Sequence, residues 1–351
     1  PSVESVKKEF NRAEQIVSKL NPPPKFYLIE KNQKPLSDHA LSQFLKSLNT
    51  HTVLNQAERN NISNKNKNFD PVKRHAKQFH ELDRHTQWVL RESPFIRQNF
   101  YQPDTSSLEK FEASNQKYRE KFYNDVIGKF DNGRLPLNVR SRKIYDTKKW
   151  VGHEIVLDVF PNVIAYGILL LPRDLKANER RPVVVCQHGL EGRPQDIITG
   201  DHNAYHDFAS KLAERGFITF SPQNLYIFKD RFRTLQRKAN PLKKTLFSII
   251  IPQHQQIVDW LKTLDFVDDK RIAFYGLSYG GKTAMRVPPI VTDYCLSICS
   301  ADFNEWVDKN ASTRNPYSYV NSGEYEIFEW DLGSTFNYAE MAGLIAPRPF
   351  M

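Results

Sequence analysis

Residues 267–283 read VDDKRIAFYGLSYGGKT. Arg271–Tyr275 is a short β-prone run, Gly276-Leu277-Ser278-Tyr279-Gly280-Gly281 follows it, and Lys282–Arg286 opens a helix. Glycines flanking a serine at a strand-to-helix junction permit a turn tight enough to lift the hydroxyl above the sheet. The helix then starts beneath the serine, and its first amides can stabilise a developing oxyanion. On this reading Ser278 is the candidate nucleophile and the amide of Tyr279 the first oxyanion donor.

The same letters allow a second reading. Residues 276–283 satisfy the phosphate-loop pattern G-x-x-x-x-G-K-[ST], again between a strand and a helix. Leu296–Ser300 followed by Asp302 would serve as a magnesium-binding strand end. Two features weigh against it. A phosphate loop usually follows an early strand of its domain, and here several strands come first. The turn His188-Gly189 would also have no role in a nucleotide site.

Outward from this stretch, residues 141–351 alternate between strands and helices. Ile155–Phe160 and Val163–Leu171 read as paired strands joined at Pro161-Asn162. Val183–Cys186 is a short apolar run of the kind buried in a parallel sheet. Helix Tyr205–Arg215 ends at Gly216 as a C-cap, followed by strand Phe217–Phe220. Helix Gln253–Leu264 precedes strand Arg271–Tyr275, and helix Lys282–Arg286 precedes strand Cys295–Cys299. The pattern predicts an open α/β sheet with right-handed crossovers.

Three stretches carry a family resemblance: Pro182–Gly192 (PVVVCQHGLEG), Leu212–Pro222 (LAERGFITFSP) and Val267–Lys282 (VDDKRIAFYGLSYGGK). On them, residues 141–351 resemble the dienelactone hydrolase and acetyl xylan esterase-like branch of the α/β-hydrolase superfamily. The last stretch is also similar to prolyl oligopeptidase-like peptidases. The resemblance implies an α/β-hydrolase fold, a mostly parallel sheet flanked by helices, with Ser278 forming an acyl-enzyme. It places the second oxyanion amide at Leu190, after His188-Gly189, with His188 a structural residue upstream of the nucleophile.

The sequence departs from the family at one point. Members run in the order serine, acid, histidine, but the last histidine here is His254. Leu344–Met351 (LIAPRPFM) reads as the start of a further strand. The expectation is therefore a hydrolase domain lacking its C-terminal part, its histidine beyond Met351, and nearly inactive as a fragment. Asp302 is a candidate acid at the end of the strand after the nucleophile; a capping or loop-fixing role is the alternative.

Substrate signals are weaker. Gln223–Thr245 carries seven Lys or Arg against Asp230, a net of +6. It reads as a basic loop that either is merely solvated or offers Arg233 and Arg237 for forked bonds to a carboxylate or to sugar hydroxyls. The stretch Ser278–Lys282 is similar to the serine turn of glucuronoyl esterases, which share Lys282 but carry Arg where this chain has Tyr279. Phe303, Trp306, Tyr317, Tyr319, Tyr325 and Trp330 are candidates for lining a sugar site or for ordinary packing.

Residues 1–140 read as a helical, basic N-terminal region without identifiable chemistry. They hold 24 Lys/Arg against 16 Asp/Glu (+8), while residues 141–351 hold 26 against 24 (+2), which together make the net charge of +10. Val3, Val6, Phe10, Ala13, Val17 and Leu20 repeat at helical spacing. Asp70-Pro71 is a helix start, Leu108–Phe122 a further helix ending near Gly128, and Asn55–Asn68 an exposed loop. The basic residues are interspersed with acids and lack aromatic interleaving, so no nucleic-acid partner is expected. Apolar content of 40% fits a packed globule, and no run of 18 apolar residues suggests a transmembrane helix. Cys186, Cys295 and Cys299 are too few for a disulfide framework and read as buried thiols. The ten histidines show no metal-ligand spacing, so no metal or cofactor is expected. The chain opens on Pro1 without a signal stretch and reads as processed or trimmed.

The resulting expectation is a serine esterase acting on small-molecule or carbohydrate esters. The alternatives are a prolyl oligopeptidase-like peptidase, a non-catalytic binding scaffold on the same fold and a phosphate-loop nucleotide binder. Oligomeric state and compartment stay open.

Overall fold

The structure, a computed structural model, describes residues 2–29, 37–48, 51, 68–324 and 327–351. The expected loop at Asn55–Asn68 lies almost wholly outside them. The chain divides into two units, Pro1–Lys73 and Arg74–Met351. In the first, Ser2 caps helix α1 (Val3–Val17) by accepting from the amide of Ser5 at 3.1 Å, as a serine N-cap should. Neither α1 nor α2 (Asp38–Leu48) has a buried residue. Helix α3 (Pro71–Phe100) carries the chain into the second unit. Asp70 caps it, its Oδ1 accepting from Val72 and Lys73 at 2.9 and 3.1 Å. Helix α4 (Leu108–Lys121) continues as a wider π-turn through Ile127 and stops at left-handed Gly128.

The second unit is built on a seven-stranded sheet: β1 (Arg140–Asp146), β2 (Trp150–Phe160), β3 (Val163–Pro172), β4 (Arg181–Gln187), β5 (Ile218–Pro222), β6 (Val267–Leu277) and β7 (Leu296–Ser300). The order across it is β1-β2-β3-β5-β4-β6-β7. The first three strands run antiparallel to their neighbours, with Asn162 at φ 65° turning β2 into β3. Strands β5, β4, β6 and β7 are parallel. Beyond β7 the chain comes back alongside it: Ser297 and Cys299 donate to the carbonyls of Pro349 and Met351 at 3.1 and 2.8 Å, so only the end of the expected strand Leu344–Met351 pairs, and Leu344 and Ile345 instead close a helix.

Helices α5 (Phe208–Ala213), α6 (Asp230–Ala239), α7 (Phe247–Leu261), α8 (Tyr279–Ala284), α9 (Trp306–Asn310), α10 (Leu332–Thr335) and α11 (Tyr338–Ile345) complete the unit. Four differ from the sequence reading; α8 starts at Tyr279, against the serine, and ends at Ala284 rather than spanning Lys282–Arg286. The 223–245 segment is not simply a loop: Phe232 and Gln236, one helical turn apart, are both buried and hold α6 down. Helix α7 begins six residues before Gln253, because the run Phe247–Ile251 is itself helical and buries Phe247, Ile250 and Ile251. Helix α5 is shorter than 205–215, since His206 and Asp207 take φ near 50° and block helical continuation on that side.

One apolar core gathers Val183 and Val185 of β4, Phe220 of β5, Ile272 and Phe274 of β6 and Ile257, Val258 and Leu261 of α7. Each such side chain contributes about 1.5–3 kcal/mol on burial, which makes β4 and β6 a firm base for the turns at their ends. Of the cysteines only Cys186 is fully buried; Cys295 and Cys299 are half-buried, and all three are free. Among the described residues no helix is long and apolar enough to cross a membrane.

Candidate active site

Ser278 sits between β6 and α8 with φ 60° and ψ −115°. That conformation is costly for any residue with a Cβ and persists only when the surroundings impose it. Here they do. The Ser278 amide donates to the carbonyl of Ser300 at 2.9 Å, and its carbonyl accepts from Lys282 at 2.9 Å. A Cβ on Gly280 would collide with the carbonyl of Gln187. One on Gly281 would lie 2.5 Å from the Ser300 carbonyl oxygen and 2.9 Å from the Cβ of Asp302. The two glycines thus let α8 lie directly on the ends of β4 and β7. Tyr279 opens α8, and a first-turn amide has no carbonyl partner within its own helix.

The serine lies on the wall of a cavity of about 100 Å³ that it shares with Leu190, Tyr279, Lys282 and Asp302. Five of the seven residues singled out from sequence are therefore together. Arg233 lies one layer back, donating to the Tyr226 hydroxyl at 3.3 Å, and Tyr226 is on the wall. Arg237 is exposed on α6 and off the wall. Of the aromatic candidates, Trp306 and Tyr319 line the cavity, and Phe303 packs on Tyr338 and Phe350. Tyr317 and Trp330 are largely exposed, and Tyr325 lies outside the described residues.

The turn after β4 holds Leu190 from both sides. The Gly189 amide donates to the Tyr205 hydroxyl at 2.9 Å, and the Glu191 amide to the Tyr226 carbonyl at 2.7 Å. His188 is fully buried beneath, its Nδ1 2.8 Å from the Gly189 carbonyl oxygen, and burial pushes its pKa down to about 4. It is a neutral structural residue. His254 is on α7, bonded to the Tyr294 hydroxyl at 2.8 Å, and burial pushes it to about 3. Among the described residues lining the cavity, none is a histidine.

Charge is packed densely on the far wall. Arg286 grips Glu329 at two points, Nε–Oε1 2.7 Å and Nη2–Oε2 2.5 Å, and Lys282 Nζ stands 3.7 Å from the same carboxylate. Burial lowers the Lys282 pKa to about 8, against the opposing pull of Glu329. Burial also works against the Glu329 charge, but Arg286 and Lys282 more than offset it and hold the carboxyl below its usual range. Asp302 is about nine-tenths buried; Lys309 Nζ donates to its Oδ1 at 2.6 Å and its carbonyl at 2.8 Å. Its Oδ2 is buried without a hydrogen-bond partner among the described residues. Burial, then the Asp302 charge, raise the Tyr338 hydroxyl pKa nearby.

Sequence reasoning missed Tyr226, Arg286, Lys309, Glu329 and Tyr338. Arg286 had a usable signal: it falls four residues after Lys282 and eight after Ser278, at helical spacing in the expected helix Lys282–Arg286, although α8 stops at Ala284. Glu329 arrives from a loop and Lys309 from the five-residue helix α9, and no local pattern reveals the path of either. Among the described residues no cluster of three or more His, Cys, Asp or Glu is placed to hold a metal ion.

No family model and no curated protein matches the sequence. Solved structures do. A suggested acetyl xylan esterase from Bacteroides fragilis aligns over 76% of this chain and 73% of its own, with a TM-score of 0.59 at 15% identity. The chain has the α/β-hydrolase fold. A glucuronoyl esterase from Solibacter usitatus aligns less closely, at TM-score 0.49 and 15% identity over 70% of this chain and 74% of its own. Acetyl xylan esterase 1 from a Thermoanaerobacterium species gives 0.45 at 12% identity, over 73% of this chain and 80% of its own. In open α/β sheets ligands bind outside the carboxyl ends of parallel strands. The α/β-hydrolase sheet here brings Leu190, Ser278 and Asp302 to that edge, after β4, β6 and β7 respectively.

Proposed function

We propose that the protein is a serine esterase that forms an acyl-enzyme at Ser278 on acyl or carbohydrate esters. The observation that carries this reading is the imposed backbone of Ser278, φ 60° and ψ −115°, on the wall of a polar cavity. Strain of this kind is kept where it aims a reacting group. The Ser278 Oγ attacks the ester carbonyl, and the amides of Tyr279 and Leu190 receive the negative charge on its oxygen. The alkoxide of the ester then leaves as an alcohol, taking up the proton given up by Ser278, and water splits the acyl-enzyme, its hydroxyl going to the acyl group and its proton back to Ser278 Oγ. Charged and aromatic groups of both hydrogen-bonding senses, Lys282, Lys309, Asp302, Trp306 and Tyr319, suit a hydroxyl-rich substrate. The Bacteroides fragilis neighbour, described as a suggested acetyl xylan esterase, supports the same substrate class.

The serine proton needs an acceptor, and the cavity wall carries no imidazole. Residues 1–351 alone are therefore expected to turn esters over on the order of 10⁶-fold more slowly than a complete triad. Asp302, with one carboxylate oxygen left unpartnered at the strand end, is the acid that would orient an incoming imidazole. The Lys282 side chain is committed to Glu329, which disfavours a phosphate-loop role.

A non-catalytic scaffold is the second reading, favoured by that histidine-free wall. Fluorophosphonate treatment of the protein from its natural source, followed by peptide mapping, separates the two. A single adduct on Ser278 is expected. A folded protein with no adduct, or one labelled elsewhere, overturns the esterase reading in favour of the scaffold.

A further inference from the structure

Helix α6 packs behind the Tyr226 wall of the Ser278 cavity. Its entry is tied to the Leu190 turn, where the Lys229 amide donates to Glu191 Oε1 at 2.7 Å. Its inner face is tied to the wall, where the rings of Phe232 and Tyr226 pack together. Phe232 and Gln236 occupy the buried side, so Arg231, Leu235 and Lys238, at positions i, i+4 and i+7, share the outward side.

That outward side combines two features rarely left together in water. Phe228, Leu235 and Leu242 are exposed by 67%, 49% and 71%. Around them stand the exposed cations Lys229, Arg231, Arg237, Lys238 and Lys243. A single exposed leucine is unremarkable. Three large apolar side chains among five cations within one 16-residue segment form a surface with a demand for both apolar contact and negative charge. A solvated basic loop explains the cations and not the leucines. A hydrophilic acidic polymer would satisfy the charge and leave Phe228, Leu235 and Leu242 wet. A lipid surface carrying anionic headgroups satisfies both, since Phe and Leu enter the headgroup–acyl boundary while Lys and Arg stay among the phosphates.

We propose that Phe228–Lys243 is a docking surface for anionic lipid, which brings the segment behind the Tyr226 wall of the Ser278 cavity to a lipid–water interface. Docking uses no group of the reaction itself and stands apart from the chemistry at Ser278. Its consequence for that chemistry is positional: esters presented at the interface reach the cavity, and the Leu190 turn bonded to Lys229 feels whether α6 is seated.

The test is co-sedimentation of the full 351-residue chain with vesicles. Binding to phosphatidylcholine vesicles containing phosphatidylserine is expected, at least tenfold stronger than to phosphatidylcholine alone and weakened by salt. Leu235→Ser with Leu242→Ser, and separately Arg231→Gln with Lys238→Gln and Lys243→Gln, should each weaken it at least tenfold. All five positions are exposed, so these variants keep the core. A control triple, Lys148→Gln with Lys176→Gln and Lys270→Gln, removes equal charge from exposed sites elsewhere and should bind as the parent does. Ser278→Ala should also sediment unchanged, so a protein that docks but never labels at Ser278 loses the esterase reading and keeps this one. Absence of binding to the anionic vesicles overturns the proposal. So does a control triple as defective as the α6 triple. Binding to soluble polygalacturonate that equals vesicle binding and ignores the leucine pair overturns it in favour of an acidic-polymer site.

Discussion

Arg286 and Glu329 form a two-point ion pair with both side chains nearly sealed from solvent, at side-chain exposures of 1% and 3%. Arg286 lies four residues beyond Lys282 and eight beyond Ser278, so the Glu329 carboxylate stands against two of the cations that line the cavity. Burial of a pair is weak evidence for stability, but removing one member strands the other.

Glu329→Gln leaves Arg286 and Lys282 as buried, uncompensated cations and should cost about 3–5 kcal/mol in urea unfolding. Arg286→Met combined with Glu329→Gln should cost clearly less than the two single changes added, since the partners are coupled. Additive costs in that cycle would mean that the two side chains do not pair.

The two buried histidines set the acid limb of stability. In an unfolded chain an imidazole titrates near 6.5, whereas burial holds His188 near 4 and His254 near 3. Between those values the unfolded chain binds more protons. Stability is therefore fully present above pH 6.5 and falls as pH drops toward 4 and then 3, by up to about 3 kcal/mol for His188 and about 5 kcal/mol for His254. Urea midpoints at pH 7 and pH 5 should show the fall, and His254→Gln should flatten it. An unchanged slope in that variant would show that its imidazole is not held neutral.

The Ser278 backbone makes a prediction that is separate from reactivity. Ser278→Gly removes the Cβ that φ 60° and ψ −115° disfavour, and Ser278→Ala keeps it. The glycine variant should be the more stable of the two by about 1 kcal/mol, although glycine elsewhere usually loses to alanine. Equal thermal midpoints, or a more stable alanine variant, would contradict the turn described for this residue.

Gly281→Ala should loosen the seat of α8. Its new methyl group would fall 2.5 Å from the Ser300 carbonyl oxygen, which is backbone and cannot rotate away. A loss of about 1–3 kcal/mol is expected, together with slower labelling of Ser278. A fully stable, fully reactive variant would show that α8 and β7 do not approach so closely.

Much of this was legible from sequence. The turn at Gly276–Gly281 is local, since its glycines, serine and flanking periodicities all lie within the stretch that forms it. The buried run Val183–Cys186 needed only its own letters to be read as a central strand. What escaped was long-range. Glu329 meets Arg286 across 43 residues, and Lys309 reaches Asp302 out of a helix of five residues with no strong pattern. Helix α6 escaped for another reason: its lysines and arginines dominate the composition, and only two of its ten residues, Phe232 and Gln236, are marked by burial among those described.

Arg97 is where α3 ends its run along the second unit. Its guanidinium donates to the Gly333 carbonyl, and it lies 3.3 Å from Glu340 and 3.9 Å from Glu305. Glu305 caps α9, which carries Trp306 and Asn310 onto the cavity wall. A helix lying far upstream of the serine is thereby a strut under the binding wall, and fraying of its last turns would be felt as a change in substrate grip before any strand of the sheet gave way.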